Sequence, residues 1–223
     1  RQGHLAGRRE IAERDLTVIV LAKAPVPGRV KTRLCPPCTP EQAAALAMAA
    51  VLDTLHAAAD VDATRHLLVL DGDPGGWVPD GWEVVPQCDG GLDRRLGAAF
   101  AAAGGPAVLV GMDTPQLDPA VVARAGAAVV SAPGVGVLGM ANDGGFWIVA
   151  LSAGGPEDFE GVPMSDADTG ALQLERLIER GHRVELVESL TDVDSWDEAR
   201  VVARAAPTGR FATEVERVAA RLG

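Results

Sequence analysis

The chain is short of cysteine, lysine and aromatic residues. Its 223 residues include three cysteines, two lysines, four tryptophans, four phenylalanines and no tyrosine. Three cysteines cannot form a closed set of disulfides, and none has the spacing of a four-ligand zinc site. Because disulfides persist in oxidising compartments, this usage favours a reducing cytoplasm, and we expect a cytoplasmic protein.

Long apolar runs and an excess of positive charge are also missing. No stretch reaches the roughly 18 uninterrupted apolar residues of a membrane span, so no span is expected. With 31 acidic against 20 basic residues, the formal net charge is -11. This charge repels polyanions and argues against a nucleic-acid partner. Any phosphate that the protein binds must therefore meet a local basic patch or a metal ion.

Short apolar segments with strand character alternate with segments of helical spacing. We predict strands over residues 17–22, 66–70, 83–86, 107–112, 135–140, 146–151 and 184–190. Helices are predicted over residues 40–59, 91–103, 118–130 and 168–180, and again from residue 196 onwards. This alternation predicts an α/β fold with a mainly parallel central sheet and helices on both faces. We expect a single domain over 17–206, with an N-terminal extension over 1–16 and a C-terminal helix over 207–223.

A basic loop follows the first predicted strand. Both lysines of the chain, Lys23 and Lys31, lie in it together with Arg29 and Arg33. Loops at the carboxyl edge of an open α/β sheet bind ligands, and these cations could hold a di- or triphosphate. The alternative is a solvated connection without a ligand. The candidate nucleotide-binding residues of this loop are Ala22, Lys23, Pro25, Gly28, Arg29, Lys31 and Arg33.

Three aspartates are candidate metal ligands. Asp113 directly follows a buried strand, where a carboxylate can hold Mg²⁺ or Mn²⁺ and bridge to phosphates. Asp192 and Asp194 alternate along the chain, so an extended segment would direct both to one side. The alternatives are an Asx turn at Asp113 and a turn at Asp194.

A glycine turn separates two predicted strands near residue 144. Gly144 and Gly145 would allow the backbone to approach a ligand closely, and Asp143 could accept a proton from a hydroxyl group. An ordinary hairpin turn is the alternative.

Three motifs together resemble a known family. The chain reads AKAPVPGRVKTRL over residues 22–34, GMDTPQ over 111–116 and DGGFW over 143–147. These strings are similar to a bacterial, GT-A-type, glycosyltransferase-like family of the nucleotide-diphospho-sugar transferase superfamily. The resemblance implies a Rossmann-like GT-A fold, a nucleotide on the first loop and a divalent metal on Asp113. Where family members usually show Gly-Asp-Leu-Gly, this chain has Gly-Gly-Leu-Asp over residues 90–93.

Three functions follow as hypotheses. The first is a metal-dependent transferase that moves a glycosyl group from a nucleotide-sugar to a small-molecule acceptor, with Asp143 as general base and Lys31 stabilising the leaving diphosphate. The second is nucleotidyl transfer from a nucleoside triphosphate to a small phosphorylated acid, with release of pyrophosphate. The number of cations in the loop favours this second reaction. The third is a regulatory protein that binds a nucleotide without turnover.

Overall fold

The computed structural model describes residues 15–222, so the predicted extension over 1–16 lies almost entirely outside the described residues. The strands are β1 (Thr17–Lys23), β2 (Arg65–Asp71), β3 (Glu83–Pro86), β4 (Ala107–Gly111), β5 (Val135–Ala141), β6 (Phe146–Leu151) and β7 (Arg183–Leu190). The α-helices are α1 (Pro40–Ala59), α2 (Leu92–Ala103), α3 (Pro119–Ser131), α4 (Thr169–Glu179), α5 (Trp196–Ala205) and α6 (Arg210–Leu222). The predicted strands and the first four predicted helices are confirmed, with ends that differ by one residue at most.

The seven strands form one mixed sheet in the order β3-β2-β1-β4-β6-β5-β7. Strand β6 runs antiparallel to both of its neighbours, and the other neighbouring pairs are parallel. The carboxyl ends of the six parallel strands therefore share one edge of the sheet with the amino end of β6. This edge gathers the loops of the candidate site, and the predicted α/β class is confirmed.

Both faces of the sheet are buried under helices, which explains the continuous apolar run of β1. Val18 and Val20 join a core cluster with Val51 of α1, whereas Ile19 joins the opposite cluster with Phe100 of α2. Successive side chains of a strand point to opposite faces, so a strand covered on both sides needs apolar residues at every position.

Helix α1 has exposed ends and a buried middle. Thr39 caps it by accepting a hydrogen bond from the backbone N–H of Gln42, and the Gln42 side chain accepts one from the N–H of Thr39. By length and composition alone, α1 is apolar enough to cross a membrane. In the fold, 56% of its most apolar window is buried, and it packs against β1 and α6. Phe211 and Val215 of α6 join Leu46 of α1 in a third core cluster.

The β5–β6 turn is fixed by the segment that precedes α4. Gly144 has a φ of +95°, and a Cβ there would lie 1.8 Å from the carbonyl oxygen of Ala167. The N–H of Gly170 donates to the carbonyl of Gly144 at 2.7 Å. Only glycine fits such a close approach with a positive φ, so the turn and the 163–169 segment are held together.

Candidate active site

A cavity of about 650 Å³ opens at the carboxyl edge of the sheet, a size that suits a small-molecule ligand. It is lined by the first loop, the segments after β4 and β7, the β5–β6 turn, the start of α2 and part of the 163–169 segment. Of the residues that the sequence predicts, those lining it are Ala22, Lys23, Arg29, Lys31, Arg33, Asp113, Asp143, Gly145, Asp192 and Asp194. Pro25, Gly28 and Gly144 are outside this lining.

The first loop is shaped by its turn residues. The N–H of Arg29 donates to the carbonyl of Val26 at 3.0 Å, and Gly28 has a φ of +75°. Proline at the second and glycine at the third position are the residues that such a turn prefers. Lys31 follows with a φ of +50° at the start of a short 3₁₀ turn, Thr32–Leu34. The glycine thus serves the backbone of the loop, and the cations face the cavity.

Lys31 is buried in a network of oxygen atoms. Only 7% of its side chain is exposed, and its Nζ lies 2.7 Å from Oδ1 of Asp113 and 3.7 Å from Oδ1 of Asp194. The same ammonium donates to the carbonyl of Val193. The Asp113 and Val193 oxygens lie within hydrogen-bond distance of the ammonium, and Asp194 forms a longer ion pair with it. Lys31 therefore joins the first loop to the segments after β4 and β7.

The other loop cations are more exposed. Arg33 donates to Oδ2 of Asp194 at 2.6 Å with 73% of its side chain exposed. Lys23 and Arg29 are exposed, and neither forms an ion pair among residues 15–222. Two cations of the loop are therefore engaged by carboxylates, and two are available to a ligand.

A cluster of three carboxylates lies beside this network. Oxygen atoms of Asp143, Asp192 and Asp194 lie within 4.8 Å of one another. The segment after β7 is held in place by three hydrogen bonds: Val193 N to Asp113 O at 2.9 Å, Asn142 N to Leu190 O at 2.9 Å, and Asn142 Nδ2 to Thr191 Oγ1 at 2.7 Å. The structure thus brings Asp192 and Asp194 together with Asp143, whereas Asp113 is the partner of Lys31.

The donor atoms of this cluster fit a divalent metal. Hard oxygen ligands suit Mg²⁺ and Mn²⁺. Burial first, and then the negative charge of Asp143, raises the pKa of Asp192 to about 6. A bound cation would relieve the repulsion that disfavours ionisation of Asp192, so the electrostatics of the cluster also favour a metal.

Two further residues that line the cavity, Gln87 and Thr114, are not among the candidate site residues that the sequence predicts. Gln87 donates to the carbonyls of Ala22 at 2.7 Å and Val69 at 3.2 Å, and its Oε1 accepts from Arg95 at 3.0 Å. Thr114 is 1% exposed, and its buried Oγ1 has no hydrogen-bond partner among the described residues. Gln87 directly follows β3, and this position at the carboxyl edge could have identified it.

Asp93 belongs to the segment that departs from the Gly-Asp-Leu-Gly motif, and it is not among the residues that line the cavity. Its Oδ2 accepts a hydrogen bond from the N–H of Gly161 at 3.1 Å. This bond and those from other backbone groups lower the pKa of Asp93. Asp93 therefore holds the start of α2 against the residue 161 loop.

Comparison with known sequences identifies the family. The sequence family described as "Uncharacterized protein conserved in bacteria (DUF2064)" matches residues 42–166, more than half of the chain. The chain belongs to the DUF2064 family. No curated protein matches it.

Solved structures place this DUF2064 protein in the fold that its motifs predict. A candidate nucleotide-diphospho-sugar transferase from Desulfovibrio desulfuricans G20 is similar with a TM-score of 0.82 and 22% identity, over 93% of this chain and 96% of that one. CMP:2-keto-3-deoxy-manno-octonic acid synthetase complexed with CTP gives a TM-score of 0.57 and 14% identity, over 86% and 99%. Glucosyl-3-phosphoglycerate synthase from Mycobacterium tuberculosis, solved with Mn²⁺ and UDP, gives 0.53 and 13%, over 86% and 77%. These similarities confirm the predicted Rossmann-like, GT-A-type fold.

Replacing Lys31 with methionine should destabilise the protein. Lys31→Met keeps the length of the side chain but leaves Asp113 and Asp194 without their buried cation, at an expected cost of about 1–3 kcal/mol in the free energy of unfolding. Arg33→Met is the matched control, since it removes the exposed partner of Asp194 and should cost less than about 1 kcal/mol. Urea unfolding at neutral pH measures both. Equal losses in the two variants would contradict the assigned role of Lys31.

Metal binding should depend on pH through Asp192. A carboxylate with a pKa of about 6 is ionised above that pH and protonated below it. We therefore expect constant Mn²⁺ affinity above pH 6 and roughly a tenfold loss for each unit below, because a proton must leave before the metal binds. Calorimetric titration measures the affinity. Asp192→Asn should weaken binding and flatten this profile, and an unchanged slope in the variant would exclude Asp192 as the titrating ligand.

Proposed function

We propose that this DUF2064 protein is a metal-dependent transferase that moves a glycosyl group from a nucleotide-sugar to a small-molecule acceptor. The fold and the carboxylate cluster support a transferase that acts on nucleotide-activated donors. The charge of the cavity supports a diphosphate donor, and this charge is the main observation in favour of the proposal.

The charges that line the cavity balance one another. Five cationic and five carboxylate side chains contribute to the lining, so its formal charge is zero. One divalent ion would bring the cavity to a charge of +2. The diphosphate of a nucleotide-sugar carries two negative charges, which this charge complements, whereas a free nucleoside triphosphate carries about two more.

The first loop would bind the diphosphate through Lys23 and Arg29. In glycosyl transfer the bond between the anomeric carbon and a phosphate oxygen breaks, and negative charge grows on the leaving diphosphate. Cations in place before the reaction stabilise this developing charge more than the ground state. Lys31 would act as a positioning residue, since its buried ammonium contacts Asp113 and the carbonyl of Val193 and forms a longer ion pair with Asp194.

Asp192 and Asp194 would hold the Mg²⁺ or Mn²⁺ ion. In sites of this type, one or two carboxylates and the substrate phosphates share the ion, which supplies charge neutralisation on the diphosphate. Asp143 is the exposed carboxylate of the cluster, and its Oδ1 accepts a hydrogen bond from the N–H of Gly145 at 2.8 Å. We assign Asp143 as the general base, with Oδ2 accepting the proton of the acceptor hydroxyl.

Nucleotidyl transfer is the second candidate. The four cations of the first loop favour it, because a triphosphate needs more positive charge than a diphosphate. The ion pairs of Lys31 and Arg33 oppose it, because these two cations already neutralise Asp113 and Asp194.

The protein has three free cysteines, in accord with the proposed cytoplasmic location.

The products distinguish these functions. Incubated with Mn²⁺ and a panel of UDP-, GDP-, ADP- and dTDP-sugars, the protein should slowly release nucleoside diphosphate by donor hydrolysis. Arg29→Gln should weaken diphosphate binding about tenfold through the loss of a charge-assisted contact, and Arg124→Gln, outside the cavity lining, should not. Chromatography of the nucleotides and calorimetry are the measurements.

Other outcomes would replace the proposal. Pyrophosphate release from a triphosphate and a phosphorylated acid, without turnover of any nucleotide-sugar, would establish the second candidate. Nucleotide binding without turnover would favour the regulatory protein.

A further inference from the structure

The two halves of the cavity differ in charge. Its lining cations belong to the first loop and to α2, where Arg95 is bound to Asp71 at the end of β2. The opposite half is formed by the β5–β6 turn, the start of β6 and the 163–169 segment. This half contributes Phe146, Met164, Ser165 and Asp166, and none of its described lining residues is a cation.

The 163–169 segment is held next to the proposed base. Its contacts with Gly144 place it against the turn that carries Asp143. Thr169 is 4% exposed, and its hydroxyl accepts from the N–H of Asp166 and donates to the carbonyl of Pro163, each at 3.0 Å. A compound bound on this segment would therefore lie next to the turn that carries Asp143.

The side chains of this half combine polar and apolar groups. Ser165 and Asp166 are exposed, while Phe146 and Met164 are half-buried. Oδ1 of Asp166 accepts from the N–H of Asp168 at 3.1 Å, and its Oδ2 has no hydrogen-bond partner among residues 15–222. Hydroxyl groups could donate to this carboxylate and to Ser165, and the C–H face of a sugar could pack on the two apolar side chains.

An anionic acceptor would be opposed by this half of the cavity. A phosphate or carboxylate on the 163–169 segment would lie beside Asp166, and no described lining residue of this half is a cation that could balance it. The metal ion proposed beside Asp143 would already be neutralised by the donor diphosphate. Like charges brought together in a partly desolvated site repel strongly, which selects against such acceptors. An uncharged hydroxyl compound carries no such penalty.

We infer that the acceptor is an uncharged polyhydroxyl compound, a sugar or polyol, bound between the 163–169 segment and the β5–β6 turn. This inference rests on the proposed glycosyl transfer. In the step, the acceptor oxygen bonds to the anomeric carbon and its proton passes to Oδ2 of Asp143. The bond from the anomeric carbon to the phosphate oxygen breaks, and its electron pair leaves with the nucleoside diphosphate.

Matched pairs of acceptors test this inference. The nucleotide-sugar hydrolysed fastest without acceptor is mixed with glycerol or glycerol 3-phosphate, and with glucose or glucose 6-phosphate. We expect at least one neutral member to accelerate diphosphate release tenfold or more and to give a glycosylated product by mass spectrometry. Its phosphorylated partner should give less than a tenth of that acceleration.

Two variants locate the acceptor. Asp166→Asn should raise the KM for the neutral acceptor about tenfold, and should raise it more than the KM for the donor. Asp168→Asn, in the same segment but outside the cavity lining, should change neither.

If the phosphorylated acceptors are preferred, or if no neutral acceptor accelerates diphosphate release, the inference is wrong. Donor hydrolysis in the same experiment would still support the proposed function. Equal effects of the two variants would overturn the assignment to Asp166. Absence of hydrolysis of every donor would instead reject the proposed function, and this inference with it.

Discussion

The candidate site depends on the ammonium group of Lys31. It lies between Asp113, which follows β4, and Asp194, which follows β7, while its own backbone belongs to the loop after β1. Three loops that are distant in the chain thus share one cation. Without it, two carboxylates at the carboxyl edge would repel each other and the first loop would lose its attachment. Because Lys31 is engaged in these contacts, fewer cations of the first loop are available to a ligand.

Charge balance links this contact to the proposed reaction. The first loop has four cations in the sequence, but the ion pairs of Lys31 and Arg33 reduce its available charge to that of Lys23 and Arg29. Burial and the negative charge of Asp143 raise the pKa of Asp192 in the same cavity. One divalent ion would relieve this repulsion and give the cavity the charge that the proposed diphosphate donor requires. The opposite half of the cavity is acidic and apolar, and in the proposed reaction it would bind the acceptor while the first loop binds the donor.

The sequence predicts the fold well because its signals are local. The apolar run of β1, the capping box of α1 and the Pro-Gly turn of the first loop each act within a few residues. Which carboxylate meets which cation is not local. Lys31 and Val193 are 162 positions apart, and nothing in the spacing indicates that Asp113 pairs with lysine while Asp143 joins Asp192. Asp166 was missed for a similar reason, since only the packing of its segment on Gly144 brings it to the cavity.

Calorimetric titration with nucleotides tests the central claim most directly. The claim is that one metal ion and the first loop together complement a diphosphate. A nucleoside diphosphate should bind at least tenfold more tightly with Mn²⁺ than without it, with one ion per protein, and no more weakly than the corresponding triphosphate. Binding of the triphosphate at least tenfold more tightly than the diphosphate, or diphosphate binding that ignores Mn²⁺, would contradict the account.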